Sequence, residues 1–552
     1  MNAAAAPSVT QKLDALFKPW NRSDAPGLVV GVAHQGKVIY RRGFGLASVE
    51  HGTANTPLTR MRIGSTSKHF ASICALLLAE EGKLDLDAPL RRAMPELSGL
   101  IGEPTPRELM RHTSGLRDPF DTTYLLLHKS YSSIAPVGTG TELGPRYTSN
   151  NYPRGERMIY CNQGYHLLSL AIERIAGMPF GEFLQQRVLA PMGMQDSALW
   201  PSDMVMLPGS ASLHVPLPDG RWHRGIYPSE ELLGAGGMVS TVDDMLRWIA
   251  HLRGSEKIVG TVQSWAQMLE RPRYSSGAEG DYCLGLTRES YRGVEIIHHA
   301  GAVLGGTCQM LTVPAHALDI ILMFNRMDGP APATALKVIE AVLGEHLTPL
   351  VPLQLEGREP LLAHWYNTAS RRLLRLLQHT PPGQEPVLAL AVQESVAGLI
   401  AERDGQWVMA TPSHGTIAIA LPEAGSTPSH LEISDSGHRE SYVRLPEPEA
   451  RPTSADLAQQ LVGRYRYPDF GIDFAVVLDE GVLWLDLLPT SGRSRFKLEP
   501  LTDEVFAMTF TSTAFIPYPV TGSLVVERKA GKVTGFWLNS IRTRNLWVER
   551  SA

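Results

Sequence analysis

The sequence predicts an α+β protein: an antiparallel sheet flanked by helices over residues 1–346, then two small antiparallel β-barrels at 347–446 and 447–552. Three observations carry this. The first part of the chain runs helix, strands, many helices, strands, helix, an order that one sheet covered by helices accommodates. After Leu347 helical periodicity gives way to short β-type runs with tight turns. Two Pro-rich stretches, at 348–352 and 446–452, fall where linkers between three units belong.

The elements follow in order. From Val9 to Trp20, Leu13, Leu16 and Phe17 stand at helical spacing. The β-rich runs 27–33 and 38–40 surround Gln35-Gly36-Lys37 and read as a hairpin. Arg62 to Phe70 leads into an apolar helix, Ala71 to Ala79. Thr105-Pro106 opens a short helix, Pro being suited to the first helical position, and leads to His112-Thr113-Ser114-Gly115-Leu116. Tyr131 to Tyr152, rich in Ser, Gly, Thr and Pro, reads as a long loop. Gln163 to Ile175 is an amphipathic helix closed by Gly177. Gly234-Ala235-Gly236-Gly237 passes into Met238-Val239, and Ser240 to Asp244 starts a further helix with capping residues. Ile296 to His299 and Ile320 to Phe324 read as strands, and Thr334 to Leu343 as the closing helix. The middle unit is mainly β with one basic helical piece, Arg371 to Leu377. In the last unit, hairpin signals centre on Asp479-Glu480-Gly481 and on Ala530-Gly531, as in a small closed barrel.

Composition narrows the function. A hydrophobic fraction of 43% and a charged fraction of 19% describe a soluble globular chain. The formal net charge of -5 is small for 552 residues and no basic patch stands out, which argues against a nucleic-acid partner. Cys74, Cys161, Cys283 and Cys308 are scattered without a C-x-x-C pair, so neither a zinc ribbon nor a disulfide framework is expected. Neither a signal peptide nor a transmembrane run is read, and a cytoplasmic setting is expected.

The candidate chemistry centres on Ser65-Thr66-Ser67-Lys68 at the mouth of the apolar helix. Residues three apart on a helix share a face, which brings the Lys68 amine to the Ser65 hydroxyl. Serine is a weak nucleophile until a neighbouring base takes its proton, and a buried lysine can be that base. Unsatisfied N–H groups at a helix start favour the negative charge that develops there. Tyr160-Cys161-Asn162 precedes the Gln163 helix: Tyr160 can shuttle a proton if cations lower its pKa, and Asn162 can orient a substrate carbonyl. The same residues also read as a core tyrosine followed by a helix cap. His298 and His299 alternate across a strand, so at most one faces a cleft. The small residues Ala300 and Gly301 would let a substrate lie close to the strand edge, while a strand histidine also reads as structural.

Ser65-x-x-Lys68, Tyr160-x-Asn162, His299-x-Gly301 and the His112-Thr113-Ser114-Gly115-Leu116 segment together resemble the penicillin-recognising serine hydrolases, over roughly residues 10–345. That family includes class C β-lactamases, D-alanyl-D-alanine carboxypeptidases, certain esterases and D-aminopeptidases. The resemblance implies a class C β-lactamase-like sandwich with Ser65 as nucleophile and Lys68 and Tyr160 as proton carriers. It implies Asn162 as orienting group and His299 in place of the usual Lys of Lys-Thr-Gly. The Ser65 and Ala302 N–H groups would form the oxyanion hole, Gly301 would line the substrate, and no metal or organic cofactor is required. Two C-terminal lipocalin-like barrels, Tyr-Cys-Asn, and Ser114-Gly115-Leu116-Arg117-Asp118 are similar to the D-aminopeptidases. The implied activity is release of an N-terminal D-residue from a small peptide or amide through an acyl-enzyme. Ester, β-lactam or carboxypeptidase chemistry and a non-catalytic penicillin sensor are the alternatives, and a homodimer is one expected assembly. A loop of the last barrel, 489–496, is expected to reach the cleft with Arg493 and Arg495, which would favour a substrate carboxylate. Deleting 447–552 should then change substrate choice more than stability.

Overall fold

The computed structural model describes residues 7–126, 138–227, 229–380, 385–394, 397–403, 405–410, 416–488, 495–510 and 520–551. Helix α1 (Val9–Phe17) starts at Ser8, whose side chain accepts from the Gln11 N–H while the Gln11 side chain accepts from the Ser8 N–H. Strands β1 (Leu28–His34) and β2 (Lys37–Phe44) form the first hairpin, with Gln35 and Gly36 both at positive φ, as a tight turn matched to strand twist requires. Next come the helices α2 (Lys68–Glu80), α3 (Pro106–Met110), α4 (Pro119–Leu126), α5 (Asn162–Ala176) and α6 (Val242–Arg253). Strands β3 (Thr287–Tyr291), β4 (Val294–Val303), β5 (Gly306–Val313) and β6 (Leu318–Phe324) follow, then α7 (Ala331–Leu343).

The sheet runs β3-β4-β5-β6-β1-β2, antiparallel throughout. Alternation divides its side chains between two layers. Leu28, Val30, Val32, Ile320 and Leu322 pack with Leu13 and Phe17 of α1 and Val338 and Ile339 of α7. Val29, Met310, Ile321 and Met323 pack on the other side, in the core that holds Phe70 and Ile73 of α2 and Val242 and Met245 of α6. Covered on both faces, β6 is buried along its whole length.

Strands between Val351 and Arg444 form a nine-stranded sheet. Ala397–Arg403 pairs with both Val387–Val392 and Gln406–Met409, which closes the sheet into a barrel, and Val351–Pro352 adds to its outside. Strands from Gly463 to Arg550 form a second closed barrel around Phe474, Leu485, Phe506 and Leu538. Two local expectations change. The basic piece at 371–377 is not helical: Leu373–His379 is a strand whose Leu374 and Leu376 enter the barrel core, because pairing with Val387–Val392 overrides helix propensity. The expected loop at 131–152 contains a helical turn, Thr139–Leu143, while 131–137 lies outside the described residues. The four cysteines are free and buried, and no described helix is long and apolar enough to cross a membrane.

Candidate active site

Ser65 lies in a 3₁₀ turn, Gly64–Ser67, that leads directly into α2. The pairing of β3 stops at His298, so the outer edge of β4 from His299 to Val303 is left to meet this turn. Two glycines make the meeting close. Gly64 has φ +52, and a Cβ there would lie 2.7 Å from the Ala302 nitrogen. A Cβ on Gly301 would lie 1.9 Å from the Ile63 carbonyl oxygen and 3.1 Å from the Thr66 hydroxyl. The side-chain position of Gly301 thus faces the nucleophile turn, and the glycine serves backbone contact there rather than forming a substrate wall. Gly301→Val should therefore push β4 off the turn and lower kcat by about 100-fold. Steady-state kinetics beside a thermal melt will separate this from unfolding.

Lys68 is fully buried. Its Nζ donates to the Asn162 side-chain oxygen at 2.9 Å and to the Ala235 carbonyl at 2.6 Å, and stands 3.2 Å from Ser65 Oγ. Carbonyl oxygens only accept. A neutral amine gives its two N–H groups to Asn162 and Ala235, and its lone pair then points at the Ser65 hydroxyl. Burial, helped by the Arg542 cation, holds Lys68 well below the ordinary lysine value, against the opposing pull of Asp118 and Asp121. The Ala235 carbonyl comes from the small-residue run 234–237, where Gly234 packs directly against Ala71 of α2.

Asn162 opens α5. Its backbone N–H donates to Asp118 Oδ2, so the end of the helix is capped by Asp118 and the Asn162 side chain is released to hold Lys68. The Tyr160 ring lies 4.8 Å from Lys68 Nζ. The Tyr160 phenol is raised rather than lowered in net: the Arg542 cation does draw it down, as expected, but burial outweighs it. Burial pushes the phenol well up, Arg542 and the Ser65 hydroxyl only moderate this, and Asp121 and Asp118 add to it, so the Tyr160 phenol is held protonated.

Behind Tyr160 runs a hydrogen-bonded chain that the sequence did not reveal. The Cys161 N–H donates to His112 Nδ1 at 3.1 Å, which places the proton of a neutral His112 on Nε2, 3.2 Å from the Tyr282 hydroxyl. Tyr282 lies 2.9 Å from His299 Nε2, and His299 Nδ1 lies 2.6 Å from the Ala300 carbonyl. One direction satisfies every member: His112 donates to Tyr282, Tyr282 to His299, and His299 to Ala300. Both ring nitrogens of His299 are thereby held inside the protein, with its ring 6.4 Å from that of Tyr160. His298 points to the opposite face, within 2.6 Å of Glu289.

Among the described residues, the last barrel reaches the site through the 540–545 turn. Residues 489–494, and Arg493 with them, lie outside the described residues. Arg495 is held on the barrel by Asp486 and Asp479, at 2.9 and 2.7 Å, and stacks on Trp484. Two facing carboxylates already compensate its charge. Arg542, in the 540–545 turn between the barrel's last two strands, stands at the site: its guanidinium lies 4.5 Å from the Tyr160 ring centroid and 3.3 Å from Asp121. Arg117 pins this turn from the catalytic side. It is almost fully buried and donates to the carbonyls of Arg544 (2.7 Å), Asn545 (3.0 Å) and Ser149 (2.8 Å) and to the Asn151 side-chain oxygen (3.1 Å). Asn151 also accepts from the Arg544 N–H and donates to the Arg542 carbonyl. Of the residues that carry or pin this turn, only Arg117 carried a sequence signal, within Ser-Gly-Leu-Arg-Asp.

The serine on its turn, the buried amine beside it and the phenol over which that amine lies, Ser65, Lys68 and Tyr160, all fall within the stretch that the Beta-lactamase family model matches, residues 11–344. The chain belongs to the Beta-lactamase family. It is 26% identical over 539 residues to the D-aminopeptidase of Brucella canis, covering 95% of this chain and 96% of that protein. Its fold is similar to the octameric penicillin-binding protein homologue from Pyrococcus abyssi (TM-score 0.54, 18% identity, 98% of this chain and 100% of that one). It is also similar in fold to the D-amino acid amidase from Ochrobactrum anthropi SV3, solved with L-phenylalanine amide (TM-score 0.50, 22% identity, 61% and 99%). The Beta-lactamase match ends at 344, close to where the strands of the first barrel begin at Val351.

Proposed function

We propose that the chain is a serine hydrolase that works through an acyl-enzyme and releases N-terminal D-residues from small peptides or amino-acid amides. One observation carries the chemistry: Lys68 Nζ donates to two fixed acceptors, Asn162 and Ala235, and stands 3.2 Å from Ser65 Oγ, so that in its neutral form, which burial favours, its lone pair faces the serine. In this reading Ser65 Oγ attacks the substrate carbonyl and its proton passes to Lys68. The oxyanion is held by the Ser65 and Ala302 N–H groups, in support of which the two backbones touch at Gly64. Tyr160, neutral and adjacent, gives its proton to the leaving nitrogen and recovers one from Lys68. Water then enters in place of the leaving group, and the same groups run in reverse. The D-preference is supported by full-length similarity to the D-aminopeptidase.

The test is hydrolysis of D-alanine p-nitroanilide beside its L-isomer and its N-acetyl derivative. The free D-amide should be turned over at least about 100-fold faster than either, a difference of roughly 3 kcal/mol in transition-state binding. Preference for the N-acetyl form, or for short-chain esters alone, would instead assign the carboxypeptidase or esterase chemistry of the same family.

A further inference from the structure

The cation contributed by the last barrel has a role that the serine mechanism above does not use. We propose that Arg542 is a positioning residue for the proton relay of Ser65: with Asp121 as its counter-ion, it sets the charge balance under which Lys68 and Tyr160 exchange the serine proton. This rests on the serine-hydrolase reading of the site.

The geometry supports it in three ways. Arg542 lies over the face of the Tyr160 ring at 4.5 Å, and Lys68 Nζ lies 4.8 Å from the same ring centroid, so one phenol stands between the guanidinium and the amine that takes the serine proton. The counter-ion is close and well placed: Arg542 Nη1 is 3.3 Å from Asp121, whose side chain is 10% exposed and sits on α4, one turn after Asp118. Finally, backbone contacts rather than the guanidinium hold the turn that delivers Arg542: the Arg542 and Arg544 carbonyls accept from Asn151 and Arg117. The side chain can therefore be changed while the turn remains docked.

The charged and titratable groups around the relay act as follows. Arg542 favours the neutral amine of Lys68 and the phenolate of Tyr160, and Asp121 opposes it at both. Asp118, beneath the N-terminus of α5, is pushed up to about 7, first by burial and then by Asp121, while Arg542 draws it down. Cys161, Tyr165 and Tyr282 are buried and held neutral, and His112 and His299 are tied into the chain through Tyr282. Among these, Arg542 is the permanent positive charge. In the acylation step the Ser65 O–H bond breaks as the Oγ–C bond forms, the proton goes to Lys68, and Tyr160 passes a proton to the leaving atom. None is transferred to Arg542, which acts by its field.

The experiment uses the full-length protein and two probes, D-alanine p-nitroanilide and p-nitrophenyl acetate, with the Ser65 adduct identified by mass spectrometry. Acylation rate is followed against pH for the wild type and for Arg542→Gln, Arg542→Lys and Asp121→Asn. Loss of the cation raises the proton affinity of Lys68, so the acid limb of Arg542→Gln should move to higher pH by about one unit. Arg542→Lys should restore it. Loss of the counter-ion should move the limb of Asp121→Asn to lower pH. Opposite shifts cannot come from general loosening of the site. Unmoved limbs, or shifts of the same sign in Arg542→Gln and Asp121→Asn, would overturn the inference. If the wild type hydrolyses the D-amide but the limbs stay fixed, only this inference fails. If Ser65 is acylated by the ester with the expected shifts but the D-amide is inert, only the substrate assignment fails.

Discussion

Replacing Ser65 with alanine should leave a folded protein whose turnover is reduced by about 10⁴-fold or more. The reasons are local. Of the three hydrogen-bond partners described for Lys68 Nζ, Ser65 Oγ is the one that can donate a proton and then form an acyl bond, the other two being carbonyl oxygens. A water placed in the gap could use the same base, but it would lack the pre-aligned attack that the 3₁₀ turn gives the serine, and the residual rate would come from binding and the oxyanion donors alone. Stability should change little, because Ser65 is only partly buried and packing around the turn is set by Gly64, Thr66 and Ser67. Single-turnover kinetics with a D-amide and a thermal melt make the comparison. Retention of more than a few per cent of the activity would remove Ser65 from the mechanism.

Arg117→Met should lower stability by about 3 kcal/mol or more, a large share of a typical domain's margin. Methionine keeps the apolar stem but leaves the carbonyls of Ser149, Arg544 and Asn545 without their donor in a site almost closed to water. The loss should appear as a lower urea midpoint. Activity should fall further than the melt alone explains, because the turn that carries Arg542 is released. The same contacts revise the expected result of deleting 447–552. Leu125, Leu126 and Tyr147 of the catalytic unit are packed in the core of the last barrel, so truncation would expose them together with Arg117 and cost stability as well as selectivity.

What the sequence made legible follows from the range over which its signals act. Ser65 and Lys68 are three residues apart, and Tyr160 and Asn162 two, so their joint placement is a matter of one helix turn or one loop. The strand containing His299 could be read from alternation, and the hairpins of the last barrel from their turn residues. Tyr282 and Arg542 carried no such mark. Their partners are His112 and His299 for one and Asp121 and Tyr160 for the other, and only the tertiary fold brings them together. Arg495 shows the converse error: a basic residue at a strand end looked available, yet Asp479 and Asp486, on neighbouring strands of the same barrel, had already claimed it. The helical reading of 371–377 failed because consecutive leucines fit both periods, and the neighbouring strand decided between them.

The contact between Arg542 and Asp121 spans 421 positions of sequence. Domains of this size form separately and in order along a growing chain, and long-range contacts close last. The helices around Ser65 precede the final barrel along the chain, and the guanidinium beside Tyr160 comes from that barrel's last turn. With the Arg542 role proposed above, activity would report the folding of the entire polypeptide rather than only of the unit that holds the serine.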